Sequence, residues 1–156
     1  MSGAAEILDL ARARGVMIAT AESCTGGMVA AALTEIAGSS DVFDRGFVTY
    51  SNAAKMQMLG VQAQTLADHG AVSEETAAQM AAGARTNSQA GIAVSVTGIA
   101  GPGGGSAEKP VGRVCFGLST EKATRTETVD FGDIGRQQVR EATLRHALAM
   151  LRAALA

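Results

Sequence analysis

Aromatic side chains are scarce. They account for 3% of the 156 residues, with no tryptophan and one tyrosine, while hydrophobic residues as a whole reach 47%. The core must therefore come from Ala, Val, Leu, Ile and Met, and no platform exists for stacking bases. Blocks of basic residues are also missing, and the formal net charge is −2, which argues against a nucleic-acid partner. No apolar run approaches the ~20 residues of a membrane-spanning helix. The opening residues Met1-Ser2-Gly3-Ala4-Ala5-Glu6 lack the basic and apolar regions of a signal peptide. Cysteine is limited to Cys24 and Cys115, too few for a disulfide framework and without metal-ligand spacing to His69 or His146. The expectation is a cytoplasmic protein with reduced thiols, no metal, no nucleic acid and no membrane partner. Its length suits one domain over 1–156 with a single sizeable core.

The order of elements follows from hydrophobic spacing and stop signals. Ala4 to Arg14 has Ile7, Leu8 and Ala11 at helical spacing and ends at Gly15, a natural C-terminal stop. Val16 to Ala21 suits a buried strand, Gly26 to Ile36 a tightly packed helix of small residues, and Phe47 to Tyr50 a second strand. Asn52 to Leu59 reads as a short helix capped by Ser51 or Asn52, with Gly60 beyond its end. Ser73 caps a longer helix to about Asn87, with Glu74 and Glu75 in its positive first turn. Ile92 to Val96 is strand-like, and a Gly-rich loop runs from Gly98 to Gly112. Val114 to Ser119 and Thr124 to Phe131 form a hairpin around Glu121-Lys122, and Arg136 to Leu155 is a closing helix. Helices alternating with strands, followed by a hairpin, predict an α/β fold: a three-layer α/β/α sandwich around a mixed sheet.

Three segments can carry chemistry. In Thr20-Ala21-Glu22-Ser23-Cys24-Thr25-Gly26-Gly27, a strand gives way to a helix at a sharp turn. Such a turn presents a side chain at the sheet's carboxyl edge beside free backbone N–H groups, which suits a nucleophile with an oxyanion hole. The same residues also allow a plainer role, in which Ser23 or Thr25 only caps the helix. Gly26 and Gly27 permit close approach of a phosphate or carboxamide. In Tyr50-Ser51-Asn52-Ala53-Ala54-Lys55, Lys55 falls in the first turn of a helix, where the dipole disfavours a cation. A solvated surface lysine is the alternative, and Tyr50 either fills core or lines a pocket. Ser95-Val96-Thr97-Gly98-Ile99-Ala100-Gly101-Pro102-Gly103-Gly104-Gly105-Ser106 matches neither the P-loop nor the dinucleotide spacing. It reads as an ordered ligand loop or a flexible surface loop, with Thr97 able to donate to a substrate. Arg136 and Arg140, one helical turn apart, can clamp a phosphate or form a solvated face.

Taken in this order, the three segments resemble the C-terminal domain of the competence/damage-inducible CinA family, whose pattern joins Ala-Glu-Ser-Cys-Thr-Gly-Gly, Tyr-Ser-Asn-x-x-Lys and Thr-Gly-Ile-Ala-Gly-Pro. The resemblance extends through Gly38-Ser39-Ser40, Gly70-Ala71-Val72-Ser73-Glu74 and Glu108-Lys109-Pro110-Val111-Gly112, and covers about Ala4 to Leu155. It implies a stand-alone nicotinamide mononucleotide deamidase, commonly a homodimer, with Ser23 as nucleophile and Lys55 as its base. Substrate contacts are expected from Tyr50, Thr97, Thr25, Gly26, Gly27, Gly98, Gly101 and Arg140. One departure stands out: the family's Gly-Asp-Arg is here Gly132-Asp133-Ile134-Gly135-Arg136. The nucleotide-hydrolysing N-terminal domain of longer members is not expected, nor is its metal-dependent activity.

The chemistry expected from the resemblance needs no cofactor. Neutral Lys55 takes the Ser23 proton, Ser23 attacks the carboxamide of a small mononucleotide, and the lysinium protonates the departing ammonia. Backbone N–H groups around Cys24 to Gly26, with Thr97, hold the oxyanion, and water releases nicotinate mononucleotide. The rival is a non-catalytic nucleotide- or protein-binding module in competence or DNA-damage responses, favoured by the absence of a His–Asp pair placed for general-base work.

Overall fold

Side chains alternate across a strand, and the alternation here sorts residues by size. In β3 (Ile92–Gly98) and β4 (Arg113–Thr120), Ile92, Val94, Val96, Val114, Phe116 and Leu118 all join one large aliphatic cluster. The intervening positions include Ala93, Ser95, Thr97, Cys115, Gly117 and Ser119. One face of the sheet is thus thick with branched side chains and the other nearly flat.

The computed structural model describes residues 3–156. The five strands are β1 (Ile18–Glu22), β2 (Phe43–Val48), β3, β4 and β5 (Thr124–Asp130), in the spatial order β2-β1-β3-β4-β5. β1 runs parallel to β2 and β3, while β4 and β5 add antiparallel. Helices α1 (Ala4–Arg14), α2 (Met28–Thr34) and α6 (Arg136–Leu155) cover the aliphatic face and share its core. Helices α3 (Asn52–Leu59), α4 (Ala63–His69) and α5 (Glu74–Thr86) lie on the flat face, over a smaller core of Ala19, Ala21, Leu59, Val61, Met80, Ala84, Ala90 and Ala93. The α/β/α layering and the mixed sheet agree with the sequence reading.

The flat face lets α5 approach closely. Ser95 Oγ donates to Ala77 O at 2.6 Å, and a Cβ on Gly83 of α5 would stand 1.9 Å from Leu59 O at the end of α3. Alanine at position 83 would therefore push α3 away from α5.

Several element limits differ from the sequence reading. β2 begins at Phe43 and ends at Val48, not Phe47 to Tyr50. It is an edge strand, and Asp44, Arg45 and Gly46 hide its inner half from a hydrophobic pattern. β1 is displaced to Ile18–Glu22 because it carries a charged residue into the buried interior. α2 starts at Met28, not Gly26, since Gly26 (φ 59) and Gly27 (φ 112) are left-handed and lie outside the helix. Helix α4 has no counterpart among the elements read from the sequence. Among the described residues, no helix is long and apolar enough to cross a membrane.

Candidate active site

Parallel strands β1 and β3 end at the same edge of the sheet, and their alternation decides what appears there. Counting along β1, residues 18, 20 and 22 face the aliphatic side and 19 and 21 the flat side. Glu22 accordingly points toward α2. Its Oε1 accepts from Thr25 Oγ1 at 2.5 Å and from the Val29 N–H at 2.9 Å, and Oε2 accepts from the Ala30 N–H at 3.0 Å. The first turn of α2 has no side-chain cap of its own. A buried carboxylate from the preceding strand takes the place of one. Ser23, next in the alternation, faces the flat side, where α3 lies. The capping reading of Ser23 and Thr25 is therefore replaced: Gly27 is the N-cap residue, Glu22 satisfies the helix, and Thr25 donates to Glu22.

Lys55 meets Ser23 there. Its Nζ lies 3.0 Å from Ser23 Oγ and donates to Thr49 O at 2.8 Å. Lys55 is 2% exposed and Ser23 8%, so this is no surface lysine. Ser51 caps α3 by accepting from the Ala54 N–H at 3.0 Å, which leaves Lys55 in the first turn. Burial pushes its pKa below the usual 10.5, because desolvation penalises the cation. The neighbouring Cys24 thiol is pushed up to about 11, again by burial, and stays protonated at neutral pH.

Ser23 and Lys55 form one wall of a pocket of about 270 Å³. Its other walls are Ala71 and Val72 before α5, the start of the Gly-rich loop from Gly98 to Gly104, and Tyr50 with Arg136 at the rim. Arg136 donates to Gly101 O at 2.9 Å and to Tyr50 Oη at 2.8 Å, joining α6, the loop and the β2–α3 connection. Ile99 N–H donates to Arg113 O, and Gly112 N–H to Ile99 O, so the base of the loop is ordered.

Of the residues singled out in the sequence, Ser23, Lys55, Tyr50, Thr97, Gly98 and Gly101 come together around this pocket. Thr97 Oγ1 donates to Ala71 O at 2.8 Å, so its proton fixes the pocket wall and is not free for an oxyanion. Thr25, Gly26, Gly27 and Arg140 are not among the lining residues. Thr25 is fully buried, and the Gly26 N–H is engaged by Ser23 O at 3.0 Å. Arg140 faces the back of the turn, where its Nε donates to Cys24 O at 3.0 Å and its Nη2 to Thr25 O at 3.3 Å. Arg136, across the departure from the family's Gly-Asp-Arg, is the arginine at the pocket.

Sequence reasoning missed Glu22, although a charged residue ending an apolar strand was a usable signal. It also missed the Thr49 carbonyl and the Ala71-Val72 wall. Those contacts use backbone atoms, and the residue types give no sign of them. Among the described residues no cluster of His, Cys, Asp and Glu could hold a metal ion.

Comparison with known proteins adds an independent line. The profile of the CinA C-terminal domain matches residues 2–155. The chain is 55% identical over 143 residues to the nicotinamide-nucleotide amidohydrolase PncC of Escherichia coli strain K12, covering 90% of this chain and 85% of that protein. It is 62% identical over 112 residues to a CinA-like protein of Chloroherpeton thalassium, but the match covers only 27% of that longer protein. The crystal structure of the competence/damage inducible protein CihA from Agrobacterium tumefaciens superposes with a TM-score of 0.89 at 56% identity, covering 96% of this chain and 95% of that one. A competence or damage-inducible protein from Enterobacter asburiae gives 0.93 at 38% identity, covering 98% and 96%.

Proposed function

The chain belongs to the CinA C-terminal domain family, and from that premise we propose that it is a nicotinamide-nucleotide amidohydrolase, converting nicotinamide mononucleotide and water to nicotinate mononucleotide and ammonia. The observation that carries the reading is the buried pair at the pocket wall, with Lys55 Nζ 3.0 Å from Ser23 Oγ. A serine hydroxyl is a weak nucleophile until a base removes its proton. Desolvation lowers the Lys55 pKa and so enlarges the neutral fraction able to do so.

Lys55 takes the Ser23 proton as Oγ attacks the carboxamide carbon, and the tetrahedral oxyanion is held at the turn by the Cys24 N–H. The lysinium returns its proton to the leaving ammonia, and water, activated by the same amine, hydrolyses the ester. The pocket lies near the lower limit for a small-molecule site. It takes the pyridine ring and carboxamide, while the phosphoribosyl group lies along the rim with Arg136 and the Gly-rich loop. The mononucleotide is the only partner this chemistry needs, without cofactor, nucleic acid or membrane. Free Cys24 and Cys115 fit the reducing cytoplasm. Assembly as a homodimer belongs to the same reading and is tested by sedimentation.

The decisive experiment is ammonia release from nicotinamide mononucleotide, with and without a chelator. Turnover that survives chelation is the expected result. Binding of the nucleotide without turnover would instead favour a non-catalytic module.

A further inference from the structure

The turn that carries Ser23 is gripped by charge on two sides. Glu22 holds the helix behind it through two N–H groups and the Thr25 hydroxyl. Arg140 reaches over from α6 and takes the carbonyls of Cys24 and Thr25. Arg140 is part-buried and does not line the pocket, so it has no direct path to a ligand there. What it holds is the backbone.

A trans peptide is planar, with its C=O and the following N–H pointing in opposite directions. The Thr25 carbonyl shares its peptide with the Gly26 N–H, so fixing that oxygen on Arg140 turns the Gly26 N–H to the opposite side, toward the Ser23 carbonyl. The Ser23 carbonyl is directed at the Gly26 N–H, which turns the Cys24 N–H outward from the turn in the same way. Cys24 lines the pocket, and among the described residues its N–H meets no protein oxygen. A carbonyl held by a guanidinium is also polarised, and polarisation along a peptide strengthens the N–H at its other end.

Resting on the amidohydrolase reading, we propose that Arg140 is a positioning residue: by holding the Cys24 and Thr25 carbonyls, it fixes the turn and so aims the Cys24 N–H at the oxyanion formed on Ser23. Its role is distinct from that of Arg136, which shares the rim with Tyr50. Donors that act on the developing charge lower the barrier and do not tighten the ground state. Arg140 therefore contributes to kcat, whereas a phosphate-binding arginine would contribute to KM.

The experiment compares wild type, Arg140→Gln and Arg140→Lys for turnover of nicotinamide mononucleotide. It also measures their affinity for an analogue bearing a boronic acid in place of the carboxamide. That boron accepts Ser23 Oγ, the displaced proton passes to Lys55, and the tetrahedral adduct places a hydroxyl where the oxyanion forms. Arg140→Gln is expected to lower kcat roughly ten- to a hundredfold, with KM within about twofold of wild type. Boronate affinity should weaken by the same factor as kcat/KM falls. Arg140→Lys, which offers a cation without the two-pronged grip, should fall between the two, and it keeps the test alive if the glutamine variant does not fold. A rise in KM with kcat retained would make Arg140 a substrate anchor and overturn the inference, as would a lower kcat with unchanged boronate affinity. Wild-type protein that releases no ammonia would overturn the amidohydrolase reading and this inference with it; active wild type with unaltered variants overturns this inference alone.

Discussion

Two helices begin at the site, and the protein treats their N-termini in opposite ways. The start of α2 receives a buried carboxylate, Glu22, which accepts from the Val29 and Ala30 N–H groups. The start of α3 has an ordinary cap, Ser51, and then a buried amine, Lys55, in its first turn. A negative group at a helix N-terminus is stabilising and a positive one is not. One terminus is built to hold a nucleophile still. The other accepts strain on a cation, and that strain favours the neutral amine a general base requires.

The comparison divides the roles between α2 and α3, and substitution can break or sharpen it. The largest effect belongs to the nucleophile: Ser23→Ala should lower kcat by at least about 10³-fold. Cys24→Ala, one residue on, should keep substantial turnover, since a thiol pushed up to about 11 supplies almost no thiolate at neutral pH. The reverse ranking, read from ammonia release, would move the chemistry to sulfur.

Next comes the charge on α3. Lys55→Arg and Lys55→Ala should each cost roughly 10²–10⁴-fold in kcat, because arginine cannot lose its proton. In wild type the rate should rise with pH through one ionisation below the ordinary 10.5, and that rise should vanish in both variants. An arginine variant of near-normal rate would make Lys55 a mere cation and end the contrast.

The α2 side predicts a stability effect. Glu22→Gln keeps the shape but removes a charge that accepts three hydrogen bonds, at a cost of about 2 kcal/mol, or a midpoint roughly 4–8 °C lower by calorimetry. An unchanged midpoint would mean the carboxylate does not hold the turn.

The smallest effect is on stability against pH. Folding lowers the Lys55 pKa, so above the folded value, and up to the unfolded value near ~10.4, the unfolded chain binds more protons. Stability gained from Lys55 therefore rises with pH across that window, while below it the cost of burying the cation is constant. Thermal midpoints of wild type and Lys55→Met should converge or diverge accordingly, with wild type gaining on the variant as pH increases. Parallel curves would mean that burial does not tune the amine.

What could be read from the residues alone follows the physics of each element. Helix α6 was legible to its limits because its apolar stripe is long and Gly135 precedes it, and α3 because Ser51 and Gly60 bracket it. Edge strand β2 was only half legible, since its outer side chains answer to water. In the site, the roles of Ser23 and Lys55 came from the family resemblance, but Thr49 O, which Lys55 holds, and Cys24 O and Thr25 O, which Arg140 holds, are backbone atoms that no residue type announces. Arg136 and Arg140 have similar side chains one turn apart, and a sequence cannot say which faces the pocket and which the turn.

The contact between Gly83 and Leu59 has a consequence for how the gene can drift. Position 83 lies outside the pocket, one helix behind the base, and carries no functional group. Yet its missing methyl sets how far α3 stands from α5, since a Cβ there would meet Leu59 O at 1.9 Å, and Lys55 sits one turn upstream on the same helix. In a library of random variants sorted by turnover, position 83 should be depleted of every replacement, as if it were part of the chemistry. A map of tolerated mutations would then mark as active site a residue that touches nothing that reacts.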